Sequence, residues 1–259
     1  MDLMVAVDGG TVWVQDTGGD GVPAVLLHPG WGDAGIWDAV VEQIGAAVRV
    51  VRYDCRGYRN SPAPTANFTA LGDLVSVLDG LGVGRAVLVG HSGGGATASA
   101  LAVLHPRRVC SLILLAPGFD GYPWPTDDPY WTEISALEKA GDFDGTIALG
   151  LRTWSRSGAD PVARSQIRSA VRAFVAEAGF RQPDPPTFGR LAELAIPTRL
   201  FVGDLEYPMV ADCAVAAARQ IPGCQLTTLK GADHLIPLRA PGQIAAAITH
   251  SVASCDGGR

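Results

Sequence analysis

Seven short apolar runs punctuate the chain, at residues 12–15, 24–28, 48–54, 86–89, 112–116, 199–202 and 225–229. Each is too short for a helix. Several are continuous rather than alternating, as strands buried on both faces of a parallel sheet must be. Helical periodicity fills the gaps, near residues 34–45, 68–81, 93–104, 209–220 and 241–254. This alternation predicts an α/β protein built on a doubly wound, mostly parallel sheet.

One stretch breaks the rhythm. Residues 118–197 hold no convincing strand; they open on Pro117, Pro123, Pro125 and Pro129 and close on Pro183, Pro185 and Pro186. Phe143, Ile147, Leu151 and Trp154 recur at helical spacing between them. Asp160-Pro161 reads as an N-cap followed by proline in the first turn, with Gly179 as the stop. The expectation is a helical cap at 118–197 inserted into a core made of residues 1–117 and 198–259.

Composition narrows the partners. The net charge is -6 and Lys139 and Lys230 are the only lysines, which argues against nucleic acid and anionic membrane, both of which need basic patches. No apolar stretch approaches the roughly 18 residues of a membrane span. Asp2 stands where a signal peptide carries positive charge, and the run at 3–7 is short for its apolar segment. The cysteines at 55, 110, 213, 224 and 255 are odd in number and form no C-x-x-C pair, so neither a zinc site nor a disulfide framework is indicated. A reduced, cytoplasmic setting is the expectation.

The chemistry centres on Ala86-Val-Leu-Val-Gly-His-Ser-Gly-Gly-Gly95, a strand running into G-x-S-x-G. Alone the pattern is common in a chain with 32 glycines. Here β-branched residues precede it and a helix of small residues follows, which is the context of a strained strand-to-helix turn that exposes the serine hydroxyl. Ser92 is therefore the candidate nucleophile. A serine hydroxyl is weak at neutral pH and needs a base.

Of the five histidines, His234 is the candidate base. It sits in Lys230-Gly-Ala-Asp-His-Leu-Ile-Pro, directly after the run at 225–229, and loops at the C-terminal ends of strands are where such sheets build sites. His91 lies inside the elbow and is expected to point away from the serine. His105 precedes a proline at a helix end, His250 lies in the last helix, and His28 closes a strand. An orienting carboxylate should fall between nucleophile and base in the chain. Three acids qualify: Glu206 and Asp204, after the run at 199–202, and Asp120, after the run at 112–116. Glu206 is favoured, because Asp204 directly follows the turn glycine and suits local bonding to N–H groups.

With these segments in place the chain resembles the α/β-hydrolase superfamily, and most of all its small esterases and enol-lactonases. Leu26-Leu-His-Pro-Gly-Trp, nine residues from His28 to Trp37, resembles the oxyanion loop; Tyr53-Asp-Cys-Arg-Gly-Tyr-Arg-Asn-Ser61 resembles the D-x-R-G-x-G-x-S loop. Gly90-His-Ser-Gly-Gly94 matches the elbow, and Gly203-Asp-Leu-Glu206 and Gly231-Ala-Asp-His234 resemble the acid and histidine loops. The family places its acid three residues after the glycine, which supports Glu206. It also implies an oxyanion hole from the Gly30 and Gly93 amides, a structural role for His28, and no metal or organic cofactor. Pro29 stands where the family has glycine, glutamate replaces the commoner aspartate, and Arg59 replaces a glycine.

The implied activity is hydrolysis of an ester, thioester or lactone through an acyl-enzyme on Ser92, with a small molecule as substrate. The alternative keeps the fold and changes the chemistry: an acyltransferase, lyase or cyclase. Serine at the elbow disfavours the dehalogenases and epoxide hydrolases of this fold, which carry aspartate there. Aromatic residues of the cap and its entrance suggest an apolar acyl group. Trp31, Phe119, Tyr122, Trp124 and Trp131 are the candidate substrate-binding residues, and Trp154 is assigned to the packing of the cap.

Overall fold

The computed structural model describes residues 1–257. Its central sheet holds eight strands: β1 (Asp2–Val7), β2 (Gly10–Asp16), β3 (Ala24–Leu27), β4 (Val50–Tyr53), β5 (Ala86–His91), β6 (Val109–Leu115), β7 (Thr198–Gly203) and β8 (Gln225–Leu229). They lie in the order β1-β2-β4-β3-β5-β6-β7-β8. β1 and β2 are antiparallel, as are β2 and β4; every other pairing is parallel.

The continuous apolar runs become the centre of this sheet. Every residue of β3, β4, β5 and β6 is buried, whereas the edge strand β8 is half exposed. Helices α1 (Asp38–Ile44), α2 (Ala70–Gly80) and α3 (Gly93–Leu104) follow β3, β4 and β5. The segment between β6 and β7 carries α4 (Pro129–Ala140), α5 (Phe143–Trp154) and α6 (Pro161–Glu177), and the chain finishes with α7 (Pro208–Gln220), the single turn α8 (Ile236–Arg239) and α9 (Pro241–Asp256). Two cores result. Trp37, Val40, Ile113, Ile244 and Ile248 pack between the sheet and α1 with α9. Leu74, Leu78, Leu101, Leu112 and Cys213 pack on the opposite face under α2, α3 and α7. The fold is the doubly wound, mostly parallel sheet expected. Among the described residues no helix is long and apolar enough to cross a membrane.

Three details differ from the sequence reading. β1 was not anticipated. Val5 and Val7 alternate inward, and β1 joins β2 through Asp8-Gly9, with Gly9 at φ 69°. An Asp-Gly step between alternating runs is a strong hairpin signal. The segment 118–197 does contain a strand fragment, Arg181–Gln182, which pairs with Phe68–Thr69. In α5 the expected stripe holds in part: Trp154 is buried and Ile147 and Leu151 pack against the core, but Phe143 is 52% exposed and the buried face is filled by Thr146, Leu149, Gly150 and Thr153. The reason is tertiary, since Gly150 is crossed so closely by the Trp31 ring that a methyl there would lie 2.5 Å from it. The start of α6 follows its local chemistry. Asp160 Oδ1 accepts from the Val162 and Ala163 N–H groups at 2.9 Å each.

Candidate active site

β5 delivers Ser92 at the C-terminal edge of the sheet with φ 52° and ψ −117°. A non-glycine residue there costs about 1–3 kcal/mol and persists only where its surroundings over-determine it. They do so here. Ser92 N–H donates to Leu115 O at 2.9 Å, and Ser92 O accepts from Gly95 N–H at 2.8 Å and Gly118 N–H at 3.0 Å. The flanking glycines are obligatory for space. A methyl on Gly90 would lie 2.5 Å from Gly94 O, and one on Gly94 would lie 2.5 Å from Leu27 O. The elbow pattern is thus a packing requirement that brings β5, α3 and β3 close enough to hold the turn.

Gly93 follows the serine and faces the loop after β3. A methyl added to Gly93 would point at Gly30 N from 3.7 Å. Among the described residues neither amide has a hydrogen-bond acceptor. The loop carrying Gly30 is fixed from the segment after β4. Cys55 N–H donates to His28 Nε2 at 3.0 Å, Ala34 N–H donates to Asp54 Oδ1 at 2.8 Å, and Tyr58 Oη–H donates to Gly30 O at 3.1 Å. His28 spends its other nitrogen on Pro29 O at 2.8 Å, so both ring positions are committed to holding backbone. The arginine of this segment is anchored in turn: Arg56 forks onto the buried Asp73 carboxylate at 2.6 and 2.8 Å.

His234 and Glu206 meet. The Nδ1 of His234 lies 3.0 and 3.1 Å from the two Glu206 oxygens, and the side chains are 1% and 0% exposed. A carboxylate only accepts, so Nδ1 carries the proton and Nε2 is left as the free lone pair. Nε2 is buried and has no hydrogen-bond partner among the described residues. Glu206 is held by the Tyr207 N–H at 2.7 Å. Its loop packs on the histidine loop, because Leu205 N–H donates to Ala232 O at 3.0 Å and any side chain on Gly203 would collide with that carbonyl.

His91, the residue before Ser92, joins β5 to this loop. Its Nε2–H donates to His234 O at 2.6 Å and the two rings lie 5.1 Å apart. Burial, reinforced by the neighbouring His234, holds the His91 imidazole well below the usual histidine range, so it is a neutral donor. Ser92 itself makes no side-chain hydrogen bond among the described residues.

The other two acids are elsewhere. Asp204 is exposed and its Oδ1 accepts from Gly231 N–H at 2.7 Å, the turn-bonding role its position suggested. Asp120 has Asp184 and Arg181 as its charged neighbours, and burial raises its carboxyl.

The aromatic residues divide. Trp31 is buried beside Gly30, 4.9 Å from Phe174 and 6.2 Å from Trp154. Trp124 is half-buried and comes within 3.9 Å of a methyl placed on Gly118, next to Ser92 O. Tyr122 packs edge-on against Trp124 and Phe188, at 4.7 and 4.8 Å. Phe119 is 2% exposed and packs into the core under α7. Trp131 turns outward, 38% exposed, with its Nε1–H donated to Pro125 O at 2.9 Å. Trp154 packs in the core as expected, and its ring also lies 4.6 Å from that of His234; Phe174 approaches within 3.9 Å of a methyl placed on Gly30. Helical periodicity finds buried faces and is blind to which of them meets a distant loop; it carried no signal for either residue.

Comparison with known proteins agrees with this architecture. The chain is 28% identical over 215 residues, 76% of its length and 80% of the relative's, to the pimeloyl-[acyl-carrier protein] methyl ester esterase of Pectobacterium carotovorum subsp. carotovorum (strain PC1). Among solved structures it is similar to a hydrolase from Pseudomonas aeruginosa PA01, with TM-score 0.78, 25% identity and 96% and 97% of the two chains covered. It shares its fold with the enol-lactonase from Burkholderia xenovorans LB400, at TM-score 0.76 and 21% identity, with 98% and 99% covered. Residues 24–247 match the model of one family, from β3 through the insert and the histidine loop into α9, and the chain belongs to the alpha/beta hydrolase family.

Proposed function

We propose that the protein is a serine hydrolase that cleaves an ester, thioester or lactone of a small, mainly apolar acyl group. The observation that carries this reading is the buried Glu206–His234 pair, whose unengaged Nε2 lies on the loop bonded to the residue before a strained serine. In this reading Ser92 Oγ attacks the carbonyl carbon while His234 Nε2 takes its proton. The Gly30 and Gly93 N–H groups receive the oxyanion. The imidazolium then protonates the leaving alcohol, thiol or ring oxygen, and the C–O or C–S bond breaks. Water, deprotonated by His234, attacks the acyl-enzyme and returns the serine. Glu206 holds the tautomer and stabilises the cation. None of these steps calls on a metal or an organic cofactor.

The insert at 118–197 acts as a cap over this site, with Trp154 on the base and Phe174 by the oxyanion loop. Behind Phe174, between α4, α5 and α6, lies a cavity of about 440 Å³ lined by Leu137, Phe143, Thr146, Val171 and Val175. Most of its lining is apolar, with Glu138 and Asp142 the two acids among it, so if the acyl chain passes Phe174 to reach it, a neutral hydrocarbon is favoured over an anionic acyl group. The test is a matched series of p-nitrophenyl esters from acetyl through octanoyl to benzoyl, with succinyl as the anionic member. The expected result is kcat/KM rising with apolar size by about tenfold or more, since each buried methylene adds about 0.8 kcal/mol. Best activity on acetyl or succinyl would assign these aromatic and apolar residues to the packing of the cap alone.

A further inference from the structure

The connector between α5 and α6 meets the two site loops through a buried carboxylate. Asp233 directly precedes His234 and is 0% exposed. Its Oδ2 accepts from Ser157 N–H at 2.9 Å and from Ser157 Oγ–H at 2.5 Å. Its Oδ1 accepts from Leu235 N–H at 3.0 Å and Arg239 Nε–H at 3.1 Å. Two donors thus come from the insert and two from the core. Arg239 continues to the connector, reaching Asp160 Oδ2 at 2.6 Å, Gly158 O at 2.6 Å and Ser155 Oγ at 3.0 Å. Arg156 donates to Glu206 O at 3.1 Å, and the Trp154 ring lies 4.6 Å from His234.

We propose that Asp233, bonded to Ser157, is a positioning residue for His234, and that it aligns the base only while the α5–α6 connector is seated. This rests on the reading of Ser92, His234 and Glu206 as the catalytic set. The physical reason is the division of donors. Asp233 bonds on one side to Leu235 N–H and on the other to the connector, so its carboxylate fixes the backbone on both sides of the imidazole. If the connector lifts, a buried carboxylate loses both Ser157 donors. Such a group is costly to leave unsatisfied and relaxes by moving its loop. Seating of the insert and alignment of the base are therefore one event. Three neighbouring residues, Trp154, Arg156 and Ser157, reach the imidazole, the acid's carbonyl and Asp233 respectively. A clamp serving stability alone has no reason to fall on these three groups.

The test compares Ser157→Ala, Ser157→Thr and Asp233→Asn with Ser92→Ala in the full chain, using a p-nitrophenyl ester, a phosphonate that modifies serine, and thermal unfolding. Ser157→Ala is expected to lower kcat about tenfold with KM changed less than about twofold, and Asp233→Asn about a hundredfold, since small misplacements of a reacting group carry losses of this order. The rate of phosphonate modification should fall in parallel, with Tm lowered by only about a few degrees for Ser157→Ala, which keeps the Ser157 N–H donor, so that the variant stays folded at the assay temperature. Ser157→Thr keeps the hydroxyl and should recover most of the rate. Wild-type kcat in both Ser157→Ala and Asp233→Asn, a rise in KM alone, or a loss that tracks the unfolded fraction overturns the proposal. If Ser92→Ala is inactive while these variants are unimpaired, only the positioning role falls. If Ser92→Ala is itself active, the nucleophile assignment fails and carries this inference with it.

Discussion

Ser92→Ala is expected to lower kcat by several orders of magnitude on any ester the protein hydrolyses, since loss of a serine nucleophile removes up to about 10⁶ in comparable triads. The fold should be untouched. Ser92 Oγ makes no hydrogen bond among the described residues, so none is lost. Alanine also tolerates φ 52° no better and no worse than serine, and the backbone bonds to Leu115, Gly95 and Gly118 do not involve the side chain. The measurement pairs initial rates with thermal unfolding. An unchanged Tm with kcat reduced at least about a thousandfold is the expected outcome. A variant that keeps more than about a tenth of the wild-type rate means that some other group attacks the carbonyl.

The second large effect concerns the acid. Glu206→Gln should lower kcat by about 10³ to 10⁴, the scale on which a wrongly protonated imidazole fails. The cause is tautomeric. Nδ1 of His234 now faces two acceptor oxygens at 3.0 and 3.1 Å. A glutamine amide can present its NH₂ group there, which puts the imidazole proton on Nε2 and leaves nothing to accept from Ser92. The charge that stabilises the imidazolium in a fully buried site is lost as well. Asp204→Asn should be nearly neutral in kcat, because an amide oxygen still accepts from Gly231 N–H, the one bond its side chain makes among the described residues. Asp120→Asn should likewise leave kcat within about twofold. A crippled Asp204→Asn beside an active Glu206→Gln would move the orienting role to Asp204.

Much of this was legible in the sequence, for local reasons. The strands at the centre of the sheet are buried on both faces, so β3 to β6 appear as unbroken apolar runs. The elbow was legible because its glycines are steric requirements of three crossing backbones. The loops of Glu206 and His234 were legible because each follows a strand at the same edge. β1 is hard to read because its alternating run is short and acquires its meaning only from the partner strand across Asp8-Gly9. In α5 the side chain that decides the buried face, Trp31, comes from a loop more than a hundred residues earlier, and no period within 143–154 encodes it. The same distance hides Trp154 against His234 and Phe174 against Gly30. Aromatic composition suggested a pocket but not directions. Phe119 points into the core and Trp131 into solvent, and only the backbone path through 117–131 sets that difference.

The most direct test of the central claim is to trap the acyl-enzyme position. The full chain is incubated with a p-nitrophenyl alkylphosphonate, and the adduct is located by intact-mass and peptide mass spectrometry. A single phosphonyl increment is expected, on the peptide that contains Ser92. It should be absent from Ser92→Ala and form far more slowly in His234→Ala, whose serine has lost its base. An increment on any other residue, or an unmodified protein that still hydrolyses esters in the presence of the reagent, would contradict nucleophilic catalysis by Ser92.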